Sequence, residues 1–302
     1  RVVHDSGAVD FEIDLAEFLV RWVPDRLADR RKIARELYEL SAGDLHRRAT
    51  ALHLQRVCAL EAADLRLARR LSTEFTRLAG RIGGTDVETM QLWWQVMIAL
   101  LRGDYDTSTA LTERFAATVG GLSDRARLLA ESSMATSASI AAWHRGELAS
   151  ALPPFDALAE EVDEDFTLVI ALGAAESGDL DRALELATEL TADADQWAGS
   201  RVVARVPLLI ETLYAVSRDS RHRDAAGEIC RRIEPFTADW SSGLVVQWPG
   251  LVCLGPATLY RGTAREVVGL DGTADLQDAV RVARDTGARP YVRRAEQRLV
   301  AG

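Results

Sequence analysis

Three short stretches of the chain share one arrangement of turn residues. Arg-Gly-Asp-Tyr stands at residues 102–105, Arg-Gly-Glu-Leu at 145–148 and Ser-Gly-Asp-Leu at 177–180. Glycine often ends an α-helix because it adopts the left-handed conformation without steric cost, and an acidic residue suits the start of the next helix. Apolar residues and alanines at helical spacing follow each stretch. The arrangement therefore predicts pairs of helices joined by tight turns.

The spacing of these turns indicates a repeat architecture. Gly103, Gly146 and Gly178 are 43 and 32 residues apart. Weaker copies of the same arrangement stand at residues 63–65, 221–225 and 272–275. Periods in this range are typical of stacked helical hairpins, because one hairpin cannot bury both of its faces alone.

We therefore expect an all-α fold, a right-handed α-solenoid of stacked helical hairpins of the tetratricopeptide-like (TPR-like) class. Residues 1–302 are predicted to form a single domain cut from a larger multidomain protein, with a lead-in helix in 1–24 and repeats over 25–302. The first helices of the hairpins are expected to line a concave binding surface.

Two apolar segments need separate interpretations. The β-prone residues around Pro207 fit a helix that is entered or bent at the proline. The run 244–260 is too short and too interrupted by Pro and Gly to span a membrane, so we interpret it as a buried core segment. No stretch shows sustained strand alternation with a hairpin turn, and the acidic run 160–165 is expected to be a solvated loop.

Composition and motifs argue against several functions. The net charge of −10 disfavours direct nucleic-acid binding, and no catalytic or metal-binding residues are predicted. Lys32 is the only lysine and lies outside any glycine-rich loop, so a P-loop is absent and no cofactor is expected in this segment. The three cysteines form no CxxC pair, which favours reduced thiols in a cytoplasmic protein. Because the sequence contains no catalytic constellation, we do not expect the chain to be an enzyme on a helical scaffold. His144 comes just before Gly146, and we interpret it as a cation that caps the end of a helix.

A few aromatic and basic residues are candidates for a ligand or partner groove: Trp94, Trp143, Arg201, Arg205 and Trp248. The tryptophans either line a pocket or fill gaps between hairpins. The two arginines lie four residues apart on one predicted helix face, where they either meet an anionic partner or pair with nearby acidic residues.

Several segments together resemble a known family. They are residues 36–44, 60–64, Trp93-Trp94 with 99–103, Cys-Leu-Gly-Pro at 253–256 and Thr-Gly-Ala-Arg-Pro-Tyr at 286–291. They are similar to the C-terminal tetratricopeptide-like region of bacterial signal-transduction (STAND-type) ATPase regulators, a group that includes SARP-type and LuxR-type transcriptional activators. The hairpin around residues 268–275 departs from the family pattern.

The resemblance implies a sensor and regulatory role without chemistry of its own. The region would bind a protein or small-molecule effector and control an adjacent ATPase domain of the same chain, and through it a DNA-binding module. ATP would bind only in that adjacent domain. An alternative is the same repeat region regulating an adenylyl cyclase or another signalling enzyme.

Overall fold

The computed structural model describes residues 6–119, 123–151, 166–247 and 250–301, and most of these residues are helical. The first eight helices are α1 (Ser6–Val20), α2 (Leu27–Leu40), α3 (Leu45–Glu61), α4 (Leu65–Ile82), α5 (Thr85–Arg102), α6 (Tyr105–Val119), α7 (Asp124–Arg145) and the short α8 (Leu148–Ala151). The others are α9 (Thr167–Ser177), α10 (Leu180–Leu190), α11 (Ser200–Ser217), α12 (Arg223–Ile233), α13 (Ala257–Val267), α14 (Thr273–Thr286) and α15 (Arg289–Ala301). The predicted helical class is confirmed, whereas the acidic run 160–165 lies outside the described residues.

The predicted glycine turns are present. Gly103, Gly146 and Gly178 each have positive φ in the left-handed region and end α5, α7 and α9. Asp179 then caps α10 by accepting a hydrogen bond from the Arg182 backbone N–H at 3.2 Å. Consecutive helices contact each other across these turns.

The helix around Pro207 also forms as predicted, since α11 runs through the proline. Val202, Val203 and Val206 of its first half are buried. The β-prone residues therefore serve as the apolar face of a helix.

The described residues of the apolar run, 244–247 and 250–260, are almost all buried as expected. Their conformation corrects the expectation that no stretch of the chain forms a strand hairpin. Residues Leu244–Gln247 (β1) and Val252–Pro256 (β2) form a two-stranded antiparallel sheet with an irregularity between Leu244 and Val246. Helix α13 begins directly after β2. Almost every residue of β1 and β2 is buried, so neither face needs polar side chains and the sequence shows no alternation.

This hairpin lies against helices from both halves of the chain. Strand β1 contacts α3 and α11, and β2 contacts α5, α7 and α14. Trp22 donates a hydrogen bond to the Val246 carbonyl at 2.7 Å, and Tyr291 donates one to the Cys253 carbonyl at 3.0 Å. In an open repeat array each repeat contacts only its neighbours. Here the hairpin contacts helices that are far apart in sequence, such as α3 and α11.

Two close approaches of the hairpin require glycine. Gly255 has φ +86° and lies under the ring of Tyr291, where a Cβ atom would overlap the ring. A Cβ atom on Gly243 would overlap the carbonyl oxygen of Glu61. The hairpin is therefore fitted to α15 on one side and to the end of α3 on the other.

Candidate functional site

A groove of about 650 Å³ lies between helices α3, α4 and α5 and the turn that joins α14 to α15. We call it the Trp94 groove. Its apolar lining consists of Leu60, Leu65, Ala68, Trp94, Ile98 and Leu101. Its polar lining consists of Ser72, Thr73, Thr76, Thr286, Gly287, Arg69, Arg102, Arg284 and Asp285. The volume is in the range of pockets that hold small molecules.

Helical periodicity explains how α4 and α5 build this lining. On α4, Arg69, Ser72, Thr73 and Thr76 recur at three- and four-residue steps and share one face of the helix. The neighbouring face of α4, with residues such as Phe75, is buried in the core. On α5, Trp94, Ile98, Leu101 and Arg102 follow the same steps. The groove therefore has an apolar wall from α5 and a hydroxyl-rich wall from α4.

The groove carries an excess of positive charge although the whole chain has a net charge of −10. Arg284 is paired with Glu296 at 2.5 Å, and Asp285 is paired with Arg281 at 3.3 Å. The other two charged lining residues, Arg69 and Arg102, are exposed.

Within the described part of the chain, neither Arg69 nor Arg102 has an acidic side chain within ion-pairing distance. Their guanidinium groups are accordingly available to an anion from solution.

A third arginine lies behind the groove. Arg56 of α3 is fully buried, with its guanidinium carbon 3.9 Å from the centre of the Phe75 ring and 4.8 Å from that of Trp94. Its N–H groups donate to Gln91 Oε1 at 3.0 Å, to the Met90 carbonyl at 2.8 Å and to His53 Nδ1 at 2.8 Å. The guanidinium is thus fully engaged, but by neutral acceptors and ring faces.

Burial lowers the pKa of Arg56 well below its usual value. No carboxylate among the described residues accepts a hydrogen bond from it. A buried charge is costly unless an opposite charge lies close to it. Gln91, which accepts from Arg56, also donates to the hydroxyl of Thr76 at 3.4 Å, so a hydrogen-bonded path joins Arg56 to the wall of the groove.

The structure does not bring the four described residues of the sequence-predicted site to one surface. Trp94 lines the groove and is 7% exposed. Trp143 is fully buried, with the Arg294 guanidinium carbon 4.0 Å from its ring centre. Trp248 lies outside the described residues.

The two predicted arginines lie near the start of α11, away from the residues that line the groove. Arg205 is 3.6 Å from Asp193 and lies over the ring of Trp197, whereas Arg201 is exposed. A hydrogen bond from Trp197, together with the nearby arginines, lowers the pKa of Asp193. Of the two alternatives for Arg205, pairing with a nearby acidic residue is the one found.

Sequence reasoning missed Arg69, Arg102 and Arg56. The polar residues of α4 recur at helical spacing, a pattern usually produced by a solvated face. The turn at residues 284–287, far away in sequence, is what makes this face one wall of a groove. Only the fold supplies that neighbour.

The interpretation of His144 as a charged helix cap is corrected by its surroundings. The imidazole is buried beside the rings of Tyr105 and Tyr291. Burial, followed by the charges of Arg294 and Arg293, holds the pKa of His144 well below its usual value of 6.5. The ring is therefore neutral at pH 7 and supplies no capping charge.

Other reactive groups are shielded as well. Burial raises the pKa of each cysteine thiol to about 12, which leaves no thiolate at neutral pH, for Cys58, Cys230 and Cys253. Within the described residues, no group of three or more His, Cys, Asp and Glu side chains is arranged to hold a metal ion. None of the helices described here combines the length and apolar character needed to cross a bilayer.

Comparison of the chain with protein-family models, with curated proteins and with solved structures found no match in any of the three.

Proposed function

We propose that the chain is a TPR-like α-solenoid that serves as the sensor and regulatory domain of a bacterial transcriptional regulator. It binds an effector in the Trp94 groove and controls an adjacent ATPase and DNA-binding module. The observation that carries the proposal is the groove itself: about 650 Å³, with an apolar wall, a hydroxyl-rich wall and arginines at its edge. The resemblance of residues 253–256 and 286–291 to sequences of transcriptional regulators supports a DNA-binding module as the domain that is controlled.

The position of the groove suggests how binding is transmitted. Its walls come from α4 and α5, in the first half of the chain, and from the turn between α14 and α15, near its C-terminal end. Helix α15 also contacts α5 directly. An effector that binds both walls favours the arrangement in which they are close, and it shifts the equilibrium by its difference in affinity for the two arrangements. Coupling of this kind typically changes the binding affinity at the second site about 5- to 150-fold.

The proposal is tested first by the coding sequence on either side of these residues. We expect an ATPase module and a helix-turn-helix domain in the same reading frame. A cyclase domain in their place would transfer the sensor role to the alternative output. A gene that encodes no further domain would refute the proposal.

The second test removes residues 1–302 from the full protein and measures transcription of its target genes. We expect expression that no longer responds to inducing conditions, because the sensor is gone. Target expression and inducibility equal to those of the intact protein would refute the regulatory role.

A further inference from the structure

We propose that the occupant of the Trp94 groove is a small organic anion with an apolar body. Its apolar part packs on Trp94, Ile98 and Leu101, and its carboxylate or phosphate binds Arg69 and Arg102. This inference rests on the proposed function only where it calls the bound molecule the effector. Binding of the anion itself is measured on the purified chain, without any output domain.

The charge distribution is the first argument. Arg69 and Arg102 line the groove and have no ion pair within the described residues, while the chain as a whole is acidic. Anions are thus repelled by most of the molecule and attracted at this edge. The hydroxyl group of Ser72 stands on the same wall and supplies a further donor. The hydroxyls of Thr73 and Thr76 already donate to backbone carbonyls of α4, so they can only accept a hydrogen bond from a ligand.

Arg56 is the second, independent argument. It is a fully buried cation that no described carboxylate neutralises, and it stacks on Trp94, which lines the groove. An anion bound against Trp94 would bring a negative charge to the ring on which Arg56 stacks. Arg56 is then a positioning residue: it holds the Trp94 ring and adds positive potential without touching the ligand.

The lining and size of the groove are the third argument. Apart from Arg102, the lining side chains on α5 are apolar, namely Trp94, Ile98 and Leu101, so an inorganic ion alone would leave them without contact. A volume of about 650 Å³ suits a small molecule and is too small for a folded partner.

The test uses two probes with the same apolar body. 8-Anilinonaphthalene-1-sulfonate carries a negative charge, and N-phenyl-1-naphthylamine is its neutral counterpart. Fluorescence titration of the purified chain is expected to give saturable 1:1 binding of the anion, at least about tenfold tighter than the neutral probe, because each charge-assisted hydrogen bond is strong. Affinity for the anion is expected to fall as salt is added.

Variants locate the site. Arg69→Met and Arg102→Met are surface changes that preserve folding, and each is expected to weaken anion binding about fivefold with little effect on the neutral probe. Arg70→Met is the matched control, because it removes the neighbouring charge on α4 that does not line the groove. Arg56→Met is also expected to weaken binding of the anionic probe. The circular dichroism spectrum of this variant shows whether it folds.

Head groups are then compared by displacement of the bound probe with octanoate, octyl phosphate and octanol. Stronger displacement by either anion supports the proposal and identifies the preferred head group. Equal displacement by octanol would overturn it. Equal affinity for the two fluorescent probes would also overturn it, as would anion binding in Arg69→Met and Arg102→Met that matches Arg70→Met.

The outcome is separable from that of the proposed function. Failure of anion binding removes this inference, yet the deletion experiment still tests regulation. Conversely, if deletion of residues 1–302 leaves target-gene expression unchanged, the regulatory role is refuted. Anion binding is then judged by the titrations alone.

Discussion

Substitution of Glu211 by glutamine is expected to weaken the attachment of the last helix. The Glu211 carboxylate is buried in α11 and accepts hydrogen bonds from Arg294 at 2.9 Å and from Arg298 at 2.7 Å, both on α15. Removal of one partner from a buried ion pair costs about 3–5 kcal/mol, since the remaining charge is left uncompensated. The Arg294 and Arg298 side chains are 20% and 11% exposed, so partial solvation reduces the loss to about 2–4 kcal/mol.

The assay is urea unfolding followed by circular dichroism, with thermal unfolding as a second measure. For a chain of 302 residues the unfolding entropy near Tm is about 0.6 kcal/mol/K, so a loss of 3 kcal/mol lowers Tm by about 5 °C. Glu185→Gln is the control, because the pair of Glu185 with Arg182 is exposed to solvent and is expected to contribute little to stability. A loss below about 1 kcal/mol in Glu211→Gln would refute the reasoning, because a buried pair of charges would then matter no more than a surface pair.

Three further predictions concern buried groups. The pKa of His144 is lowered in the folded state, so the unfolded chain binds the proton first and the free energy of unfolding falls as pH drops below 6.5, by up to about 1.4 kcal/mol per pH unit. Urea unfolding at pH 7.5 and 5.5 should show a smaller pH-dependent loss of stability in His144→Phe than in the unsubstituted chain. An equal loss in both would contradict the burial of a neutral His144. Gly255→Ala should destabilise the fold by about 3 kcal/mol, because the new Cβ atom overlaps the Tyr291 ring and the residue has positive φ. Gly269→Ala is the control: its φ is +83° but the space around it is open, so it should cost only about 1 kcal/mol. Equal losses of stability in thermal unfolding would rule out the overlap at Gly255. The three thiols of Cys58, Cys230 and Cys253 are buried and should react with 5,5′-dithiobis(2-nitrobenzoate) only after denaturation. Rapid reaction of the folded chain would disprove their burial.

The helical turns were predictable because their determinants are local. A glycine in the left-handed conformation and a capping carboxylate act within a few residues, and Gly103, Gly146 and Gly178 show the expected geometry. The helix around Pro207 was predictable for the same reason, because the helical spacing of its apolar residues is also local information, and α11 contains the proline.

The hairpin at residues 244–256 was not predictable in this way. Strand alternation appears only when one face of a sheet is solvated, and here both faces are buried by distant helices. The contacts that determine its conformation, such as the hydrogen bond from Trp22 to Val246, join residues far apart in sequence. A continuous apolar run gives no indication of which helices will cover it.

The candidate site was predictable only in part. Trp94 was singled out as an aromatic residue on a first helix, and it lines the groove. Arg69 and Arg102 could not be distinguished from solvated arginines, because their relation to the turn at residues 284–287 depends on contacts between segments that are far apart in sequence. His144 was misinterpreted because its position in the helix is local information, while its burial under α15 is not.

The central claim is that an anion bound in the Trp94 groove controls an attached output. The most direct measurement compares target-gene transcripts in cells that express the intact protein, the Arg69→Met/Arg102→Met double variant or no protein. Because the double variant keeps the fold and loses the anion site, we predict transcript levels that no longer change between conditions in which the intact protein switches. If the double variant switches as the intact protein does, while loss of the protein abolishes the response, the claim is contradicted.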